Sequence, residues 1–223
     1  MHRSSNNITQ PLGLVLGLLI ACNVPAAQKA GEVTKLVGRA TAATQEGDIR
    51  ALQNSSPVNA GETVVTHPSS FMRMKLTDGG FVVLRPNTRF QIKDYQYAEN
   101  ASTNRSVISL LKGGFRAVTG LIGKRNHASV SFLTAVATIG IRGTDLEVLD
   151  CSDGCPDAPG TANQGLYFKV HDGGIAVDGQ EFKDGTAGFK APGSVPVSIN
   201  FHDPNNPLNS DPTPSATPSK ECF

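Results

Sequence analysis

The sequence has no tryptophan, only three methionines and almost no net charge, +1 over 223 residues. Because there is no strong field of one sign, the composition does not point to a nucleic acid as a partner. Apolar runs are short, and Gly, Pro, Asn or Asp interrupts most of them within a few residues. That punctuation is typical of many short strands joined by turns, so we do not expect long helices.

Motifs of known catalytic sites are also missing. The sequence contains no Gly-x-Ser-x-Gly nucleophile elbow, no His-Glu-x-x-His helix and no phosphate-binding loop. Beyond the amino-terminal region, histidines occur singly, beside turn residues, at positions 67, 127, 171 and 202. We therefore predict no catalytic residue, no cofactor and no metal site, and expect a protein that is not an enzyme.

The one long apolar run lies at the amino terminus. Residues 1–10 are polar, residues 12–21 are almost all apolar, and Ala26 and Ala27 follow. About ten apolar residues are too few to cross a bilayer and are typical of a signal peptide, although a buried helix is an alternative. We predict that residues 1–27 are a signal peptide. The protein would then act in the periplasm, or associated with the outer membrane, of a Gram-negative bacterium.

Two cleavage sites are compatible with this leader. Leu19-Ile20-Ala21-Cys22 resembles a lipobox, in which Cys22 becomes the lipidated first residue. Val24-Pro25-Ala26 resembles an ordinary signal-peptidase site, and cleavage there removes Cys22. A lipid anchor at Cys22 is therefore one of two alternatives.

Export also affects how the other cysteines are interpreted. Cys151 and Cys155 flank a Ser-Asp-Gly turn between two strand-like segments. A tight turn brings two Cβ atoms to disulfide distance, and an oxidising compartment keeps the bond. We predict a Cys151–Cys155 disulfide that fixes the turn. Zinc is a weaker interpretation, because no second Cys or His pair accompanies these two residues. Cys222 has no evident partner.

Residues 28–202 have the pattern of one all-β domain. Apolar and polar residues alternate from 72 to 77, as in a half-buried strand, and the Asp-Gly-Gly that follows predicts a hairpin. A second strand–Asp-Gly-Gly–strand unit at 167–177 predicts another hairpin. The apolar, β-branched segment 130–141 predicts one strand covered on both faces.

The fold class that follows is all-β: a compact β-sandwich, or a short β-roll or β-helix-like domain, of many short strands. Residues 203–223 are rich in Pro, Ser and Asn and have little to bury. We expect them to be a disordered tail.

Five segments occur in a characteristic order: 61–66 (GETVVT), 76–80 (LTDGG), 111–116 (LKGGFR), 118–124 (VTGLIGK) and 137–145 (ATIGIRGTD). Together they resemble the FecR domain, the periplasmic module of ferric-citrate-type sensors, over roughly residues 60–190. In full-length sensors the resemblance implies an anti-sigma segment and one transmembrane helix before this domain, and a signal from an outer-membrane transporter. Here a leader stands in that place, so we expect an exported FecR-like domain without the anti-sigma segment.

The most specific part of the resemblance is Arg142-Gly143-Thr144, followed by Asp145. Gly143 permits a backbone conformation that is strained for larger residues, and the Thr144 hydroxyl can bond a nearby backbone group. In the favoured interpretation Arg142 pairs with Asp145 or Glu147 and the motif fixes a turn between strands. In the alternative, Arg142 binds a small anionic ligand in a pocket, and the protein is a sensor of that ligand.

Charge is distributed unevenly. Residues 71–125 contain ten Lys and Arg but three Asp and Glu, whereas residues 141–185 contain three and nine. The favoured interpretation is that the two regions lie side by side and neutralise each other. The alternative is a basic face that meets anionic lipid, glycan or a partner protein. The expected function is a non-enzymatic envelope interaction or signalling module. Its partner would be an envelope protein or polymer, with membrane contact only through an anchor at Cys22.

Overall fold

The computed structural model describes residues 28–155, 162–203 and 206–209, so the predicted leader, Cys22 and Cys222 lie outside the described residues. The described chain forms 17 strands and one short helix. They are β1 (Lys29–Val37), β2 (Ala40–Ala43), β3 (Ile49–Ala51), β4 (Pro57–Asn59), β5 (Thr63–Thr66), β6 (Phe71–Leu76), β7 (Phe81–Leu84), β8 (Arg89–Gln96), β9 (Arg105–Val118), α1 (Leu121–Arg125), β10 (Val130–Leu133), β11 (Thr138–Ile141), β12 (Asp145–Asp150), β13 (Leu166–Asp172), β14 (Gly174–Val177), β15 (Gln180–Lys183), β16 (Ala187–Lys190) and β17 (Val197–Ile199).

The strands form one continuous sheet that folds into two layers. Layer A has the order β4-β1-β6-β7-β9-β12-β13-β16-β17. Layer B has the order β3-β2-β5-β8-β9-β10-β11-β14-β15. Strand β9 belongs to both layers, and among the described pairings only β9–β10 is parallel. The predicted all-β fold is confirmed.

Strand β9 passes from layer B to layer A at Gly113 and Gly114. Gly113 has a φ of +81°, and a Cβ there would lie 2.6 Å from Thr88 Oγ1. The Thr88 hydroxyl donates to the Gly114 carbonyl at 2.9 Å and accepts the Gly114 N–H at 3.0 Å. These two bonds satisfy buried backbone groups at the bend, where the hydrogen-bond ladder changes partners.

The core lies between the inner faces of the two layers. Phe115 of layer A packs against Phe90 and Phe132 of layer B, with ring centroids 5.5 and 5.0 Å apart. Phe168 of layer A meets Phe182 of layer B edge to face at 4.7 Å. On β6 the predicted alternation is confirmed, since its apolar residues other than Phe71 are buried and its charged residues are exposed.

Two strand predictions are wrong. Segment 130–141 is not one strand but a hairpin of β10 and β11, and the Thr134 hydroxyl accepts the N–H of Ala137 in its turn. Segment 167–177 is not a hairpin, because β13 pairs within layer A and β14 within layer B. The Asp-Gly-Gly at 172–174 carries the chain between layers, whereas the same sequence at 78–80 joins the paired strands β6 and β7.

The expectation of a disordered tail is wrong for residues 206–209, which end in a 3₁₀ turn, Pro207–Asn209. Leu208 is 4% exposed and packs with Cys151 and Tyr167 of layer A. Residues 204–205 and 210–223 of the predicted tail lie outside the described residues.

Candidate functional site

The Arg142-Gly143-Thr144 motif forms a corner where the chain passes from β11 in layer B to β12 in layer A. Gly143 has a φ of +62°. The buried Thr144 hydroxyl donates to the Gly174 carbonyl at 2.6 Å, and the Arg142 N–H donates to the same carbonyl at 2.8 Å. A Cβ on Gly173 would lie 1.9 Å from the Gly143 carbonyl oxygen. The corners at 142–144 and 172–174 are therefore in direct contact.

The side chain of Arg142 takes no part in this corner. It is 60% exposed and pairs with Glu181, which is 53% exposed, at 2.5 Å. The expected partners, Asp145 and Glu147, are wrong: Asp145 accepts two hydrogen bonds from Arg116, at 2.9 and 2.8 Å. The reason is that Arg142 ends a strand of layer B, whereas Asp145 and Glu147 lie on layer A. Since exposed ion pairs stabilise little, the order of the corner comes from its Gly and Thr residues.

A disulfide joins Cys151 and Cys155 in the turn after β12, with 4.8 Å between their Cα atoms. The Gly154 N–H donates to the Cys151 carbonyl at 2.9 Å and closes the turn. Cys151 is fully buried against Tyr167 and Leu208. The bridged turn therefore supports the place where residues 206–209 dock.

Beneath residues 206–209, the outer face of layer A carries a cluster of charged side chains, here called the charged cluster: Arg85, Glu147, Lys169 and His171. The carboxylate of Glu147 lies 3.2 Å from Arg85 Nη2 and 3.0 Å from His171 Nε2. The side chains of Arg85 and Glu147 are only 8% and 13% exposed. A buried charge is strongly destabilising unless an opposite charge or a hydrogen bond compensates it.

The charged cluster holds the carboxyl-terminal segment of the described chain. Arg85 donates to the Leu208 carbonyl at 3.3 Å, and the Lys169 ammonium donates to the side-chain oxygen of Asn209. The same ammonium lies 4.6 Å from the ring centre of Phe201, which is a cation–π contact. This segment and the cluster thus cover one half of the outer face of layer A.

Two pKa values in the charged cluster are displaced. Burial by itself raises the pKa of Glu147, but the hydrogen bond from His171 and the charge of Arg85 outweigh it, so the pKa lies below its usual value. Burial, with the repulsion of Arg85, lowers the pKa of Lys169 although Glu147 opposes the shift. Glu147 is therefore a carboxylate at neutral pH, in keeping with its two cationic or donor neighbours.

A cavity of about 200 Å³ lies beside the covered half. The rings of Tyr167 and Phe189 and the polar groups of Asn163, Asp203 and Asn206 line it. Arg142 does not line this cavity, so the cavity lends no support to a ligand pocket at that residue.

The other half of the outer face of layer A is open, and we call it the cationic face. It consists of outward residues of β1, β6, β7 and β9: Glu32, Lys35, Arg73, Lys75, Phe81, Val83, Arg116 and Val118. Lys35 lies opposite Arg73, and Lys75 lies between Phe81 of β7 and Glu32 of β1, whose carboxylate pairs with Lys29 at 2.8 Å. The Arg73 guanidinium sits 4.5 Å from the centre of the Phe81 ring. Cations and an aromatic ring are thus adjacent on a sheet surface.

The basic region, residues 71–125, and the acidic region, residues 141–185, neutralise each other only in part. It occurs where β9 meets β12, through the Arg116–Asp145 pair, and at the Arg85–Glu147 pair. Further from this boundary, no salt bridge within the described ranges involves the three exposed cations Lys35, Arg73 and Lys75. The expectation of mutual neutralisation is therefore met at the boundary and fails on β1 and β6.

Within the part of the chain that the structure describes, no group of three His, Cys, Asp or Glu side chains is placed to hold a metal ion. In the same residues, no helix is long and apolar enough to span a bilayer.

Comparison with known families gives a direct result. Residues 62–158 match the model of the FecR protein family. The chain contains a FecR domain. The match covers β5 to β12, so the Arg142 corner, the bend of β9 and most of the cationic face lie inside it. Strands β13 and β16 and residues 206–209, which complete the covered half, lie beyond it.

Solved structures show only distant similarity to this chain. A cell surface anchoring domain is 32% identical over 28% of this chain and 82% of its own, with a TM-score of 0.27. Two structures of a proposed anti-sigma factor from Parabacteroides distasonis ATCC 8503 are each 12% identical and cover 62% of this chain, with TM-scores of 0.46 and 0.45. The chain spans 59% of that protein's length. A search of curated proteins found no match. None of these similarities transfers a function to this FecR domain.

The sequence did not predict the charged cluster. Strand alternation places Glu147 and Lys169 on outward positions, but only the pairing of β12 with β13 makes them opposite neighbours. Arg85 reaches them from the end of β7, more than sixty positions earlier. The local signal was an arginine directly after the apolar strand β7, and a glutamate and a lysine that each lie between two apolar residues on β12 and β13.

Proposed function

We propose that this protein is an exported, non-catalytic signalling or interaction module of the cell envelope, which binds another envelope component through the cationic face. The observation that carries the proposal is the set Lys35, Arg73 and Lys75, exposed and without salt bridges in the described residues, on a face that lies largely within the FecR match. Exposed charge of one sign beside an aromatic ring favours a partner of opposite charge.

Action by contact, and not by chemistry, is supported by where the reactive side chains lie. The Glu147 carboxylate is 13% exposed and is held by Arg85 and His171, and the His171 ring packs edge to face against Phe201 at 5.6 Å. The buried hydroxyls of Thr88 and Thr144 bond backbone groups at corners between layers. These groups stabilise the fold.

The alternative of a small anionic ligand at Arg142 has weaker support. Glu181 already holds the guanidinium at 2.5 Å, and both side chains are more than half exposed. An anion would have to displace a carboxylate of the same charge in well-screened surroundings.

Sedimentation with envelope fragments of a Gram-negative bacterium tests the proposal. We expect the full chain to sediment with the fragments and the variant R73E/K75E to remain in solution. The control R89E/K93E carries the same change of charge on exposed residues of β8, in layer B, and should still sediment. No sedimentation of the parent chain, or equal loss in both variants, would refute binding through this face.

Export is tested separately by the intact mass of the protein recovered after expression with its own leader. A mass that begins after residue 27, or at an acylated Cys22, is expected. Recovery of the full-length precursor in the cytoplasm would contradict export.

A further inference from the structure

We propose that the cationic face binds the anionic headgroups of a phospholipid surface. The inference rests on the proposed function and names the partner of the same face. It adds a second membrane contact to the lipid anchor considered at Cys22.

Charge complementarity is the first argument. Lys35, Arg73 and Lys75 are exposed on adjacent strands, and Lys35 lies opposite Arg73. The ring of Phe81 fixes the Arg73 guanidinium at 4.5 Å without consuming its charge, since a ring carries no net charge. The face therefore offers several positive charges to one partner, and phosphate-bearing headgroups provide many negative charges in one plane.

Exposed aliphatic side chains at one end of the face are the second argument. Val118, the last residue of β9, is 41% exposed, and Leu121, at the start of α1, is 40% exposed. Lys124 and Arg125 follow Leu121 at i+3 and i+4, share its side of the helix and are also exposed. Aliphatic residues rimmed by Lys and Arg are the composition of surfaces that rest at the headgroup boundary.

The shape of the face is the third argument. Its residues are outward positions of neighbouring strands of one sheet layer. Lysine and arginine on a sheet surface reach a plane of headgroups without close shape complementarity.

Vesicle sedimentation of the full chain tests this inference. The probes are phosphatidylcholine vesicles with and without phosphatidylglycerol, and the readout is the ratio of binding to the two. The leader, with the charges of Arg3 and the amino terminus, is the same in the parent chain and in every variant, so differences between them do not come from it. We expect the parent chain to prefer the anionic vesicles by more than about tenfold, because several cations each add attraction. Raising the salt from about 0.1 M to about 1 M shortens the screening length from about 10 to about 3 Å and should abolish the preference.

Variants locate the contact. R73E/K75E should lose the preference, R89E/K93E should keep it, and L121S should weaken binding to anionic vesicles. Circular dichroism of each variant confirms that the strands are intact. Equal loss in both charge-reversal variants would show attraction by charge alone and would overturn a specific face.

The two proposals fail differently. If the parent chain shows no preference for anionic vesicles but binds envelope fragments through Arg73 and Lys75, the lipid inference is wrong and the proposed function stands, with an anionic protein or glycan as the partner. If it prefers anionic vesicles but this preference survives R73E/K75E, the lipid contact lies elsewhere and the inference is also wrong. If it binds neither vesicles nor envelope fragments, the proposed function itself fails.

Discussion

Replacing Glu147 by glutamine removes the negative charge at the centre of the charged cluster. The carboxylate accepts from Arg85 at 3.2 Å and from His171 at 3.0 Å, and the Arg85 side chain is 8% exposed. Removal of one partner from a buried pair costs about 3–5 kcal/mol because the other charge is left uncompensated. Glutamine keeps one oxygen that accepts a hydrogen bond. We therefore expect E147Q to lower the free energy of unfolding by about 2–4 kcal/mol.

Urea denaturation followed by circular dichroism measures this loss, and E181Q is the matched control. Glu181 forms the exposed pair with Arg142, whose side chains are 60% and 53% exposed, so the same substitution should cost about 0–1 kcal/mol there. The double variant R85M/E147M should recover part of the loss, because it also removes the Arg85 charge that E147Q leaves without its carboxylate.

The difference between the parent chain and E147Q should also depend on pH. The pKa of Glu147 lies below its unfolded value of about 4.5, so its contribution is complete above that value and is lost as pH falls through the folded pKa. A loss below about 1 kcal/mol, or equal to that of E181Q, would refute a buried ion pair as the main stabilisation here. A difference that stays constant down to strongly acidic pH would refute the assigned ionisation.

Three further results are expected. G173A should lower the free energy of unfolding by at least about 3 kcal/mol, because it adds a Cβ 1.9 Å from the Gly143 carbonyl oxygen at a φ of +79°. The control G179A, at a φ of +88° with no atom within 4 Å of its Cβ, should lower it by only about 1–2 kcal/mol in the same urea titration. L208A should cost about 2–5 kcal/mol and speed hydrogen exchange around the disulfide turn, whereas unchanged exchange would mean that residues 206–209 do not brace it. Since the pKa of Lys169 is lowered, the Tm of the parent chain relative to that of K169M should rise with pH between that pKa and the unfolded value of 10.5.

The sequence predicted where strands lie better than it predicted which strands pair with each other. Alternation identified β6, and the β-branched composition indicated strand structure at 130–141 but as one strand where there are two, β10 and β11. Both Asp-Gly-Gly segments do turn the chain. One joins neighbours in layer A, and the other changes layers, because Gly173 packs on Gly143 of another corner. A turn sequence specifies the backbone over four residues and carries no information on which strand lies alongside.

The cationic face was likewise predictable from the sequence only in part. The excess of Lys and Arg between residues 71 and 125 was visible in the sequence, and so was the period of two that places Arg73 and Lys75 on one side of a strand. Which of these cations are neutralised was not visible, because Asp145 comes to Arg116 only through the pairing of β12 with β9.

By itself, the sequence determined an all-β FecR domain, the positions that turn, and the alternation that separates core from surface, since each depends on residues near one another along the chain. Tertiary structure alone decided that β9 serves two layers, that Arg85, Glu147, Lys169 and His171 form one cluster, and that Leu208 covers it. Those contacts join residues up to 123 positions apart, and their energies depend on burial, which exists only once both layers are assembled.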